Sequence, residues 1–109
     1  MGTTEQDIFK IISTSGDSRG AAFEALRLAR KKEFDRATAK LEEARMKSNE
    51  AHNVQTKLIT QEINGQNEKV TLLMVHAQDH LMNSLLARDL IEELVMYMKE
   101  NCTGEEFGK

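Results

Sequence analysis

One stretch of this chain restricts its fold more than any other: residues 68–101 read as a helix that is apolar on two opposite sides. At about 100° per residue, Met74, Ala77, Leu81 and Leu85 fall on one stripe. Leu72, Val75, Asp79, Met82, Leu86, Leu90 and Tyr97 fall on another. A helix in a lone bundle needs one apolar stripe, and a helix with two must be covered on both sides. At 109 residues the chain has room for one small domain. The second cover is therefore expected to be a neighbouring subunit. A ligand groove is the alternative, but the stripe is long and aliphatic for that role.

The rest of the sequence supplies two partner helices. No Pro interrupts it, and helix-favouring residues dominate. Asn64-Gly65 is a helix stop, and Asn67 is able to cap the next helix. The charge density changes at Lys31-Lys32-Glu33-Phe34-Asp35. These breaks predict helices over about 4–31, 34–63 and 68–101, a single all-α domain over 1–109, and a disordered tail over 102–109. Short connections make the neighbours antiparallel. In the first helix Ile8, Ile12, Ser15, Arg19, Ala22, Leu26 and Ala29 recur at spacings of four and three. Gly16 and Gly20 weaken it by roughly 1 kcal/mol each relative to Ala, and close helix packing is the favoured reason for them. In the second, Phe34, Ala37, Leu41, Ala44, Ser48, Ala51, Gln55, Leu58 and Glu62 form an unbroken 3-4 series that becomes polar in its second half. One end of the bundle is thus expected to be dry and the other to carry something polar.

Composition excludes several function classes. A net charge of −3 argues against nucleic acid, which needs a basic footprint. The lone Cys102 excludes an internal disulfide framework and reads as inert. No apolar run reaches membrane-spanning length and no leader is visible, so a soluble cytoplasmic protein is expected.

The residues able to do chemistry gather on the third helix. His76, Gln78, Asp79 and His80 lie within one and a half turns. His76 and His80 sit beside the Asp79 stripe at its margin, where a side chain is both positioned and reachable. A neutral imidazole can attack phosphorus through one nitrogen while a hydrogen bond at the other fixes its tautomer. Phosphoryl transfer then needs in-line placement and donors for the equatorial oxygens. His80 and Asn83 share the His76 side, and Gln55 lies on the inner stripe of the second helix. Spacing alone leaves two other readings open. One is a helical interaction module in which both histidines merely pack. The other is zinc ligation by His76, His80 and His52, although no Cys or acidic ligand joins them at zinc-site spacing. Asp79 occupies a core position of the outer stripe, where a carboxylate is costly unless paired or neutralised. It could reach a neighbouring helix, or meet its symmetry copies on an axis and share a cation or proton. The Met residues read as core filler, and Ser13, Ser15 and Ser18 as packing or capping groups.

Four segments carry a resemblance. Val75-His76-Ala77-Gln78-Asp79-His80-Leu81-Met82 resembles the active segment of the enzyme IIA components of the bacterial sugar phosphotransferase system, lactose/chitobiose/cellobiose class. Ala77 is closer to the chitobiose/cellobiose branch. Glu50-Ala51-His52-Asn53-Val54-Gln55-Thr56-Lys57-Leu58-Ile59, Leu86-Ala87-Arg88-Asp89-Leu90-Ile91, and the run Gly16-Asp17-Ser18-Arg19 followed by Glu24-Ala25-Leu26 resemble further parts of that family. The similarity spans roughly residues 8 to 98.

The resemblance implies a trimer of three-helix bundles. It implies that His76 takes a phosphoryl group from phospho-HPr, as tele-phosphohistidine, and passes it to a cysteine of enzyme IIB. That component works with the membrane component IIC in taking up a disaccharide such as cellobiose, chitobiose or lactose. Gln78, His80 and Gln55 stand as auxiliary residues. No cofactor is implied for the transfer, but Asp79 matches an aspartate at the three-fold axis that binds a metal in some members, so a divalent cation such as Mg is a candidate there. One departure is Lys32, which stands about where the family usually has Gly in its first turn.

Overall fold

The computed structural model describes residues 2–65 and 70–102. These residues form three helices and no strand: α1, Gly2–Arg30; α2, Phe34–Ile63; and α3, Leu72–Asn101. α1 and α3 run the same way and α2 runs against both, since the C-terminal half of α1 shares a core with the start of α2 and the end of α3. α1 packs extensively on both partners, whereas α2 and α3 meet over a smaller area.

The helix ends show why the chain breaks where it does. α1 closes in a Schellman arrangement: the Glu33 N–H donates to the Leu28 carbonyl at 3.0 Å and the Lys32 N–H to that of Ala29 at 2.9 Å. Lys32 carries the left-handed backbone that this cap requires, with φ 65°. α2 ends as the sequence predicts, at Asn64 followed by Gly65 with φ 72°. α3 begins four residues later than the spacing suggests, at Leu72. Its cap is Thr71, whose hydroxyl accepts from the Met74 N–H at 3.1 Å. Asn67, the expected cap, lies outside the described residues, as do residues 103–109 of the expected disordered tail.

The buried face of α2 follows the sequence reading, whereas on α3 Ala77 and Leu81 are buried as read, Met74 and Leu85 are half-buried, and Ser84, Ile91 and Val95 extend the face. Ala37, Leu41, Ala44, Ser48, Ala51 and Leu58 are buried on α2, and Ala77, Leu81, Ser84, Ile91 and Val95 on α3. On α1 the expected Ile8, Ser15, Ala22 and Ala29 are buried, but the face is shifted to one side of the expected stripe. Ile11, Ser15, Ser18, Ala22 and Ala25 lie inside, while Ile12 and Leu26 are half-buried and Arg19 is exposed. The alanines and serines allow close helix approach, so this face is centred on the smallest side chains rather than the largest. Gly16 and Gly20 are exposed, and a Cβ at either would meet nothing within 4 Å. The expectation that these glycines serve helix packing is thus wrong within the chain.

Two apolar cores stack along the bundle. One comprises Ala21, Ala22, Ala25, Leu28, Ala29, Ala37, Leu41, Ala44, Ile91 and Val95. The other comprises Ile8, Ile11, Ala51, Leu58, Ala77 and Leu81. Between them lies a layer of hydroxyls. The buried Ser18 Oγ and Ser48 Oγ are 2.9 Å apart, and each lies within hydrogen-bond distance of the Ala44 carbonyl. Arg88 of α3 donates to Ser48 Oγ at 3.2 Å, so all three helices join at this level. Ser84 bonds back to the Leu81 carbonyl, and Ser15 Oγ is buried without a hydrogen-bond partner among the described residues.

The second apolar stripe of α3 stays uncovered. Leu72 is 84% exposed, Val75 47%, Met82 56%, Leu86 58% and Leu90 55%. Six of the ten residues in the first core are alanines, while these larger aliphatic side chains face outward. That inversion leaves a single chain short of buried apolar area.

Candidate functional site

The site is built on the first half of α3, from Leu72 to Asn83. Thr71 caps this segment, and Ala77 and Leu81 anchor it in the second core. The anchored face fixes the rotation of the helix, and His76 is thereby turned outward and exposed. His80, one turn on, is half-buried. The two rings meet edge to face, with centroids 4.8 Å apart and planes at 86°. This contact limits the orientations open to His76 without covering it.

His76 stands on a ridge between two grooves. One is lined by Leu72, Leu73, Val75, His76 and Asp79 and is predominantly apolar. The other is lined by Arg19, His76, Asp79, His80 and Asn83. The second groove gathers imidazole, carboxamide and guanidinium donors around one potential nucleophile. It brings together His76, His80, Asp79 and Asn83, the residues that sequence spacing places on one side of the helix. It adds Arg19, which periodicity assigns to the apolar stripe of α1. The available signal was a charged residue recurring among small and apolar ones.

Gln55 and Gln78 lie elsewhere within the chain. Gln55 Nε2 donates to Gln78 Oε1 at 2.6 Å across the α2–α3 contact. Together with Ile8, Ile11, Leu58, Ile59, Glu62, Met74 and Ala77 they line a small cavity at this end of the bundle. Neither lines the two grooves that His76 borders. The polar end expected from the second half of α2 is not what forms: an apolar core fills this end too, the amide pair lies at its exposed edge, and the buried polar layer sits between the two cores.

Among the described residues, no three His, Cys, Asp or Glu side chains converge within the chain as a metal site. Asp79 is exposed on the outer stripe. A single carboxylate is a poor site for a hard cation, and several brought together by symmetry would suit one better.

The comparisons with known proteins bear on this arrangement. The family model described as "PTS system, Lactose/Cellobiose specific IIA subunit" matches residues 6–99. The chain belongs to that family. Its relatives include the N,N'-diacetylchitobiose-specific EIIA component of Escherichia coli (strain K12), 47% identical over 91 residues, covering 84% of this chain and 78% of that one. Among solved structures, the cellobiose-specific enzyme IIA from Bacillus anthracis superposes with a TM-score of 0.87 at 38% identity, covering 92% of each chain. The IIA(Chitobiose)–HPr complex of the Escherichia coli phosphotransferase system is similar with a TM-score of 0.80 at 42% identity, covering 92% of this chain and 97% of that one. The three-helix architecture is thus that of a IIA subunit. Among the described residues, no helix of this IIA subunit is long and apolar enough to cross a membrane.

Proposed function

We propose that this IIA subunit is a cytoplasmic phosphocarrier, with His76 as the residue that carries the phosphoryl group. The observation that supports this most is the setting of His76. It is exposed on a capped and anchored segment, and it borders both an apolar groove able to receive a protein surface and a polar groove able to receive the phosphoryl oxygens.

The chemistry derives from that setting. The lone pair of one imidazole nitrogen of His76, the tele nitrogen by family resemblance, forms a bond to phosphorus. The bond between phosphorus and its donor atom on phospho-HPr breaks, and that electron pair leaves with the donor. The proton on the other ring nitrogen of His76 stays in place during the step. Negative charge spreads over the equatorial oxygens, which the donors of the polar groove can meet. In the next transfer a cysteine thiolate of enzyme IIB attacks the same phosphorus, and His76 regains its electron pair. His80 is positioned to bond the phosphoryl group or to orient His76. Gln55 and Gln78, paired with each other away from the His76 grooves, would act only indirectly, by holding α2 against the first turns of α3.

The uncovered stripe of α3 supports a homotrimer. Covering the remaining area of Leu72, Val75, Met82, Leu86 and Leu90 contributes roughly 1–2 kcal/mol apiece. Symmetry would bring three copies of Asp79 together, and a divalent cation such as Mg would offset their repulsion. The transfer itself uses no cofactor. The relatives' names include chitobiose and cellobiose, and this subunit serves uptake of a disaccharide of that class with enzyme IIB and the membrane component IIC.

Phosphorylation tests the assignment. Incubation with phosphoenolpyruvate, enzyme I and HPr should add one phosphate, stable to alkali and labile to acid, as read by intact-mass spectrometry. His76→Ala should abolish the gain while keeping the helical spectrum. Phosphate retained by that variant would place the chemistry elsewhere, and bound zinc in the purified protein would favour a metal role for the two histidines.

A further inference from the structure

We propose that Arg19 binds the phosphoryl group while it resides on His76, an inference that rests on the phosphocarrier reading. Arg19 comes from α1, whereas His76, Asp79, His80 and Asn83, which line the same groove, all come from α3. Among the described residues it is the only one lining that groove with a permanent positive charge.

The charge balance of the groove calls for such a residue. A phosphoryl group on His76 adds a charge of about −1.5 to −2. Neutral imidazole and carboxamide groups can donate hydrogen bonds to it but cannot offset that charge. A guanidinium can do both, presenting two parallel N–H donors to two phosphoryl oxygens.

The local geometry holds Arg19 ready for that task. Its guanidinium carbon lies 5.3 Å from the centre of the Phe23 ring, one turn along α1. Stacking on a ring face restrains the plane of the fork while leaving its edge donors available. Arg19 forms no ion pair among the described residues. Asp17, the nearest acidic residue in sequence, lies 3.9 Å from Lys47. Arg19 gives up no proton and forms no covalent bond in this role. It stabilises the dianionic group once the transfer has linked it to His76, which is why its loss shifts the phosphorylation equilibrium.

The experiment compares the full chain with Arg19→Gln and Arg19→Lys, both at an exposed position where folding is not at risk. Each is equilibrated with phospho-HPr, and the phosphoryl distribution between the two proteins is read by intact mass and ³¹P NMR. Loss of a charged hydrogen bond should lower the equilibrium constant for phosphorylation of Arg19→Gln about tenfold to a hundredfold. Arg19→Lys should recover part of that loss, and the ³¹P resonance of phospho-His76 should move in Arg19→Gln. Sedimentation should show the wild-type assembly in both variants. An equilibrium constant within twofold of wild type in Arg19→Gln overturns the proposal. So does loss of the assembly in that variant, which would make Arg19 a subunit contact. If the wild type takes no phosphate on His76, the phosphocarrier reading falls and this proposal with it.

Discussion

Replacing Lys32 by Gly rather than Ala should stabilise the protein, by an amount set by its backbone. Lys32 has φ 65° and completes the Schellman cap of α1. An L-residue in that conformation costs about 1–2 kcal/mol against the right-handed alternative. Glycine carries no such penalty, but its freer unfolded chain takes back about 0.4–1 kcal/mol. The backbone contribution to Lys32→Gly, read against Lys32→Ala, is a gain centred on about 0.8 kcal/mol within a range of about 0–1.6 kcal/mol. For a domain of this size the central value is a rise in Tm of roughly 3–6 °C. The melts should be run at one protomer concentration, because an assembling protein has a concentration-dependent Tm. Lys32→Ala is the control: it keeps the left-handed penalty and removes the side chain beyond Cβ. The reasoning requires Lys32→Gly to melt above Lys32→Ala, since both variants lose the same side-chain contacts and differ only in the Cβ. If the Gly and Ala variants melt together, the cap is not strained by its Cβ and the argument fails.

Leu86→Glu should convert the proposed homotrimer to monomers in sedimentation equilibrium, since it sets a charge on the exposed apolar stripe; a wild type that is already monomeric at micromolar concentration would refute the two-sided burial. Asp79→Leu should keep the trimer and melt above chelator-treated wild type, because replacing buried charges with apolar groups is often neutral or stabilising by about 1–4 kcal/mol; a Tm well below that reference would mean that the carboxylate makes stabilising bonds instead. Gly20→Ala should raise stability by about 0.5–1 kcal/mol, as its Cβ would enter open space; a weakened trimer in that variant would show a neighbouring chain packed against this part of α1.

Periodicity makes α2 legible, because Leu41 and Leu58 mark a 3-4 series that its alanines and Ser48 complete, and it shows both sides of α3, where larger apolar residues recur. It misplaces the inner face of α1, where alanines and serines carry the packing and the larger Ile12 and Leu26 sit at the margin. A hydropathy pattern tracks the bulkier residues, but close helix approach selects the smaller ones. The start of α3 escapes the pattern because Asn67 and Thr71 are both capable caps, and the hydroxyl-to-Met74 bond that decides between them is a local geometric fact. At the site, residues on one helix can be placed together by spacing, which is how His76, His80, Asp79 and Asn83 group. Arg19 and the Gln55–Gln78 pair depend on how helices lie against each other, and spacing along one helix does not carry that information.

The hydroxyl layer acts as a vernier on the helices. Apolar faces tolerate sliding, since a methyl packs nearly as well against one methyl as against the next. Ser18 does not tolerate it, because a shift of one turn, about 5.4 Å, would take its buried hydroxyl away from the Ala44 carbonyl and the Ser48 hydroxyl of α2, at a cost of roughly 1–3 kcal/mol. Arg88 ties α3 to the same level. Ser18 is the residue before Arg19, and Ser84 the residue after Asn83. The axial alignment set in the interior is therefore handed, one residue along each helix, to the groove beside His76. A substitution such as Ser48→Val, which touches nothing in that groove, would let α1 drift along the bundle and carry its guanidinium out of reach of the phosphoryl site.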